Sequence, residues 1–303
     1  MQPFWPRRSP HFLACRRSLD AFHGPAVIGL SGGADSLALV AAAAAERKDV
    51  RAVVVDHGLQ AGSAAVAERA AAQARAWGVE ASVVPVEVVA EGNEGESVEA
   101  RAREARYDAL LSFGVDVWVA HTADDQAETL LLGALRGNPS GMPVRTARGV
   151  VRPFLKLRRA DTSGACAELG VEPWQDPMND DEAFRRVAVR KRVIPQLSEL
   201  IGGDSVPALA TAAHRIAADN ELLESLVDVT ATSDCAALAA APGPVRRRRL
   251  AAWLHSCGVR VHGAQLGAIE GLVVRWHGQG PIDVGGGRAV RRVGAELVVV
   301  GRG

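Results

Sequence analysis

Short apolar runs alternate with longer amphipathic stretches through the first half of the chain. The apolar runs are 26–30, 51–56 (Arg-Ala-Val-Val-Val-Asp), 81–89 and 116–120, and most are rich in Val. Between them, 36–46, 63–77, 97–113 and 124–136 are built from Ala, Leu and charged helix formers. Unbroken apolar strands separated by helices of this length predict a parallel sheet covered on both faces, with right-handed crossovers. Ser63 and Ser97 stand where helix N-caps belong.

The second half changes character. Segments 157–169, 183–193, 206–229, 246–257 and 264–272 read as helices, with Pro195 and Pro207 as punctuation. The tail, 281–300, carries Gly285-Gly286-Gly287 between Val-rich segments, which predicts two or three short strands around a glycine turn. No internal repeat is present. A domain boundary is expected near 139–152.

Composition narrows the class. The 303 residues are 48% apolar, with 35 Lys and Arg against 35 Asp and Glu. That excludes a disordered tail, a collagen and a disulfide miniprotein. Cys15, Cys166, Cys235 and Cys257 form no C-x-x-C pair, so neither a zinc site nor a dithiol centre is signalled. Reduced thiols point to a cytoplasmic protein. Arginines near the N-terminus are followed by no apolar core of a secretory signal, and the longest apolar run, 37–45, is too short to span a bilayer. No membrane partner is expected.

The zero net charge hides an asymmetry. Residues 1–142 hold 13 basic and 18 acidic residues, a net of −5, and residues 143–303 hold 22 and 17, a net of +5. The basic residues of the second half cluster at 152–159, 185–192, 246–249 and 288–292. Each cluster alone is a solvated patch; four in one half suggest a nucleic-acid face.

The first chemical motif is Ser31-Gly32-Gly33-Ala34-Asp35-Ser36, between the first strand and the first helix. Successive glycines let backbone N–H groups face an anion, and the helix N-terminus adds partial positive charge. It is neither a Walker P-loop nor a dinucleotide fingerprint. Asp35 inside an anion cradle would repel phosphate, unless a divalent cation lies between them.

Ser-Gly-Gly-x-Asp-Ser after a first strand resembles the PP-loop of the N-type ATP pyrophosphatases. Val55-Asp56-His57-Gly58-Leu59, then Glu99-Ala100-x-Ala102-Arg103-x-x-Arg106-Tyr107, narrow the likeness. So does the segment from His121-Thr122-Ala123-Asp124-Asp125-Gln126-Ala127-Glu128-Thr129 to Arg136-Gly137. Arg152-Pro153, Trp174-x-Asp176-Pro177-x-Asn179, Phe184-Arg185-Arg186, Arg190 and Pro195 continue it. Together they resemble the tRNA(Ile)-lysidine synthase family over roughly residues 23–200. The resemblance implies an N-terminal arm (1–22), a parallel-sheet PP-loop ATP pyrophosphatase domain (23–145) and a helical extension completing the active site (146–205). A mostly helical tRNA-binding domain with a small β tail (206–303) would follow.

The implied reaction has two steps. The carbonyl oxygen at carbon 2 of the anticodon wobble cytidine attacks the α-phosphate of ATP, and lysine then displaces AMP to give lysidine. The implied partners are Mg²⁺, free lysine and isoleucine tRNA with a CAU anticodon; a homodimer is also implied. The resemblance assigns ATP binding to Ser31, Gly32, Gly33, Ala34, Asp35, Ser36, Asp56 and His57, and Mg²⁺ to Asp35. It assigns a bridging role between phosphate and activated intermediate to Arg103, although spacing alone reads Arg103 as part of a solvated helix face with Arg101 and Arg106. Asp125 and Glu128, three apart on one helix face, would recognise the lysine ammonium and accept its proton. Asp124 reads as a complement to the helix dipole.

His57 and His121 are expected at the carboxyl edge of adjacent strands, where open sheets bind ligands. Arg185, Arg186, Arg190, Lys191 and Arg192 are expected to contact tRNA phosphates. Trp174 reads as core packing before a stacking platform. Val187 departs from the family's usual Asn after the arginine pair.

Three other readings fit less well. A tRNA thiolase usually wants paired cysteines. An NAD- or GMP-synthetase-type ligase conflicts with the fourth-helix pattern and the basic second half. A non-enzymatic RNA binder with a decayed site conflicts with intact Ser31, Asp35, Asp125 and Glu128.

Overall fold

The computed structural model describes residues 5–6, 8–58, 62–86 and 98–301, with 98–100 described by backbone alone. The chain divides into two compact units. One comprises 1–92, 96–132 and 141–214, and the other 93–95, 133–140 and 215–303. Apart from 93–95 and 133–140, the segments expected as arm, catalytic domain and helical extension fall in the first unit.

The first unit is built on five strands: β1 (Ala26–Gly29), β2 (Val50–Asp56), β3 (Glu80–Pro85), β4 (Asp116–Trp118) and β5 (Val150–Val151). They pair in the order β3-β2-β1-β4-β5, every pair parallel. The fifth strand, two residues long, escaped the sequence pattern.

Alternation along the strands assigns the faces. Ala26, Ile28, Ala52, Val54 and Trp118 join one core with residues of α1 (Pro10–Arg17), α2 (Ala34–Ala45), α3 (Ser63–Ala76) and α6 (Arg159–Glu168). Val27, Val53 and Val117 point the other way, onto Leu110 of α4 (Val98–Leu111). The helix α1 arose in the presumed arm, yet its Phe12 and Cys15 are 0% exposed. A third cluster packs Ala123 and Ala127 of α5 (Ala123–Ala134) against Val189, Ile194 and Val206.

Two local expectations are corrected. Ser63 is the first residue of α3, and the cap is Gly62, whose φ of +83° suits glycine. Pro195 does not end its helix. The chain runs from α7 (Arg185–Ala188) through a π turn, Val189–Val193, into α8 (Ile194–Leu200). The wider turn, closed by Ile194 N–H on the Val189 carbonyl, places Pro195 where a missing N–H costs no hydrogen bond. Ser97, and 87–89 of the expected third strand, lie outside the described residues.

Helix α9 (Val206–Leu226) runs from the first unit into the second. In the second unit α10 (Cys235–Ala240), α11 (Gly243–Ser256) and α12 (Gly263–Val274) pack on an antiparallel sheet of β6 (Ile282–Gly285), β7 (Arg288–Val293) and β8 (Glu296–Gly301). Leu238, Leu250, Leu254, Ile269, Leu272, Val290 and Leu297 form its core. The β tail matches the expected glycine-turn hairpin. Among the described residues, no helix is long and apolar enough to cross a membrane.

Candidate active site

The strand order reverses direction between β1 and β4, so the crevice at their carboxyl ends is where an open α/β sheet binds its ligand. Both main motifs leave the sheet there. The glycine-rich loop follows β1, and His121-Thr122 follows β4.

The loop holds its own shape. Ser36 Oγ lies 3.1 Å from both the Ser31 N–H and Ser31 Oγ, and it donates to the Gly33 carbonyl at 3.0 Å. Gly32 turns the chain at φ +84°, and its carbonyl accepts the Trp174 N–H at 3.0 Å. Gly33 caps α2 without a side-chain cap bond, so the first N–H groups of the helix remain donors for an anion. Trp174 thus steadies the loop through its backbone.

Asp35, in the first turn of α2, receives the Thr162 hydroxyl on Oδ1, and its Oδ2 lies 4.0 Å from Arg159 Nε. Burial pushes its pKa up to about 6, against the pull of Thr162 and Arg159. Among the described residues no group of three or more His, Cys, Asp or Glu could cage a metal. One carboxylate whose Oδ2 has no donor within hydrogen-bond reach among the described residues does fit Mg²⁺, which takes its other ligands from water and phosphates.

The carboxylates of α5 are already engaged. Asp125 Oδ2 accepts the Thr122 N–H at 2.8 Å and its hydroxyl at 2.9 Å, and Oδ1 accepts Arg159 Nη2 at 3.0 Å. Burial works to raise its pKa, but Arg159, His121 and Thr122 outweigh it and hold the group ionised. Glu128 is 0% exposed. Its Oε1 faces Arg190 Nε at 2.7 Å and Arg159 at 3.3 Å, and its Oε2 faces Arg190 Nη2 at 3.3 Å and Arg186 Nε at 3.8 Å. Asp124 does more than complement a dipole. It takes a bidentate pair from Arg158, both at 3.1 Å, and the Arg159 N–H at 2.8 Å.

Other expected residues fall as follows. The strand order separates His57 from His121, because β1 lies between β2 and β4; the expected adjacency is wrong. His57 Nε2 accepts Arg106 Nε at 3.3 Å, and burial with that guanidinium lowers its pKa. His121 is pushed down to about 3 by burial, and its Nδ1 has no partner among the described residues. Asp56 accepts the Gly58 N–H at 3.0 Å and shapes the turn after β2. Arg103 is exposed and lies over the Tyr107 ring, 5.2 Å from its centroid.

The basic run 185–192 does not form a uniform RNA face. Arg186 and Arg190 turn inward to Glu128, Lys191 pairs with Asp180 at 2.8 Å, and Arg192 pairs with Glu182. Arg185 is exposed and makes no ion pair among the described residues. Val187 is 5% exposed, so this position faces the core and a substrate-facing Asn has no counterpart there. In the second unit, Arg246 and Arg247 converge on Glu270, while Arg249 meets Asp228.

Sequence reasoning missed Arg159 and Thr162. Arg159 was visible only as part of a basic cluster, and Thr162 gave no signal at all. On the first turn of α6 they join three carboxylates from two other helices.

Known proteins bear on this arrangement. Residues 15–197 match the model of a PP-loop domain, and residues 234–297 match that of the TilS substrate binding domain. The tRNA(Ile)-lysidine synthase of Corynebacterium diphtheriae is 51% identical over 300 residues, covering 99% of this chain and 100% of its own. That of Corynebacterium glutamicum is 49% identical over 288 residues, 92% of this chain and 90% of its own. Among solved structures, the U34-tRNA thiolase NcsA of Methanococcus maripaludis superposes with a TM-score of 0.54 at 14% identity, over 73% of this chain and 82% of its own. At that identity the likeness speaks for the fold alone. The two family models fall in order along the chain and full-length relatives reach half identity, so the chain belongs to the tRNA(Ile)-lysidine synthase family.

Proposed function

We propose that the chain is an ATP-dependent carbon–nitrogen ligase that converts the wobble cytidine of CAU-anticodon isoleucine tRNA to lysidine. One observation carries the reading of the site. Thr162 and Arg159 bring Asp35, beside an anion-binding loop, together with Asp125 and Glu128, a pair suited to an ammonium.

In the first step the cytidine carbonyl oxygen attacks the α-phosphate, and the bond to pyrophosphate breaks. The PP-loop N–H groups supply donors to the phosphates, while Ser31 and Ser36, whose hydroxyls bond to each other and to the Gly33 carbonyl, hold those N–H groups in place. Asp35 would hold Mg²⁺, which supplies positive charge against the leaving pyrophosphate. Ala34, Asp56 and His57 line the nucleotide side of this reading, and Arg103 waits on α4 for the activated intermediate.

In the second step the lysine amine attacks carbon 2, and AMP leaves with the former carbonyl oxygen. The ammonium must first lose a proton, and Asp125, held ionised, is an acceptor. Among the described residues its Oδ1 accepts from Arg159 alone, so an ammonium can seat there directly. At Glu128 the ammonium competes with guanidinium groups.

Arg185, with Arg186, Arg190, Lys191 and Arg192 near it, is read as contacting tRNA phosphates; the exposed Arg185 supports this best. The reading extends to a cytoplasmic homodimer by family resemblance. Light scattering that returns one chain's mass would refute the dimer. A thiolase reading is weaker, because Cys15, Cys166 and Cys235 are buried and unpaired.

The test is incubation with ATP, Mg²⁺, radiolabelled lysine and bulk tRNA, followed by digestion to nucleosides. Label in a cytidine-derived nucleoside is expected. Its absence sinks the proposal.

A further inference from the structure

We propose that Thr162 is a positioning residue of the ATP site, its hydroxyl fixing one oxygen of Asp35 so that the other remains for the cation accompanying the phosphates. The inference rests on the reading of Asp35 as the cation ligand.

Thr162 is 0% exposed and lies 127 residues from Asp35 in sequence. Its hydroxyl carries one proton and has two acceptors within reach, Asp35 Oδ1 and the Arg159 carbonyl at 2.9 Å. The carboxylate is the stronger acceptor and takes it. The other oxygen, Oδ2, is treated differently. Among the described residues it forms one ion pair, with Arg159 Nε at 4.0 Å, beyond hydrogen-bond reach. Asp35 thus receives a neutral donor on one side, which orients it without neutralising it. A guanidinium at bonding distance would have competed with a metal ion.

The placement of Thr162 is also enforced. One turn along α6, Cys166 Sγ lies 3.5 Å from the Ala34 carbonyl. Residues four apart share a helix face, so α6 meets the first turn of α2 at two successive points. Both helices contribute to the core around Leu39 and Phe154, so the hydroxyl cannot drift from Asp35 without disturbing packing.

The experiment uses the full chain with α,β-methylene ATP and measures Mn²⁺ binding by electron paramagnetic resonance. Thr162→Val keeps the volume and removes the hydroxyl; Mn²⁺ affinity should fall about tenfold. The KM for lysine in the labelling assay should stay within about twofold, since Asp125 keeps its partners. Thr162→Ser restores the donor and should bind within about threefold of the parent. Parental binding by Thr162→Val overturns the inference, and so does a Thr162→Ser defect equal to that of Val. Asp35→Asn separates the two levels. If it weakens Mn²⁺ binding while Thr162→Val does not, only the positioning role falls. If it binds as the parent does, the reading of Asp35 falls and the inference with it.

Discussion

The PP-loop and the α5 carboxylates lie at one crevice, yet they are built in opposite ways. The loop satisfies itself: Ser31, Ser36 and Gly33 bond one another across five residues and leave the α2 N-terminus open to an anion. Thr122 holds Oδ2 of Asp125 locally, but Asp125 Oδ1 and both oxygens of Glu128 are satisfied from afar, by arginines 31 to 62 residues away. The loop therefore presents its N–H groups with no counter-charge bonded to them among the described residues, while the α5 carboxylates are already balanced. A binding site made from local backbone is open by default. One made from buried charge must be neutralised to fold, because an unpaired buried carboxylate is costly.

The largest effect should come from removing that balance. Glu128→Ala leaves Arg159, Arg186 and Arg190 without their shared acceptor and should cost about 3 kcal/mol in urea unfolding. A loss under about 0.5 kcal/mol would mean the arginines re-pair in solvent and the contrast is false.

Next comes the loop. Gly32→Ala places a side chain at φ +84°, with its methyl 3.4 Å from Ala70 Cβ. It should cost about 1–2 kcal/mol and raise the KM for ATP more than tenfold. An unchanged KM would show that the loop does not need its turn.

Asp35 links the two regions and titrates accordingly. Burial raises its pKa to about 6, above the ordinary value of 3.8. The folded state thus holds this proton more tightly, so its contribution to stability is lost as pH rises through that window. Asp35→Asn cannot ionise. Without ATP and Mg²⁺ it should exceed the parent at pH 7.5 by on the order of 1–2 kcal/mol, with the gap closing near pH 4. A gap that grows toward acid pH would contradict the assignment of burial as the dominant cause.

The smallest effect belongs to Arg185→Ala. Stability should not move, while tRNA affinity drops a few-fold and the salt slope falls by about 1. An unchanged slope refutes the phosphate contact.

What the sequence made legible follows the same division. Val-rich strands and the glycine loop are local patterns, so β1, β2, the first turn of α2 and the tail hairpin could be read directly. Two residues of β5 are too few for a pattern. Helix α1 was missed because its polar residues mask Phe12 and Cys15, whose burial depends on α6. The separation of His57 from His121 follows from strand order, which sequence alone leaves open. The arginines at 158–159 and 186–190 read as a solvated or RNA-facing charge. Their true partners lie on α5, and no spacing rule connects them.

The central claim is a division of labour, with Asp35 serving adenylation and Asp125 serving lysine transfer. The direct test follows α-phosphate-labelled ATP into tRNA with Asp35→Asn and Asp125→Asn. The account predicts that Asp125→Asn accumulates labelled AMP on tRNA and forms little lysidine, while Asp35→Asn accumulates neither. Equal loss of adenylated tRNA in both variants, or its accumulation in Asp35→Asn, would contradict it.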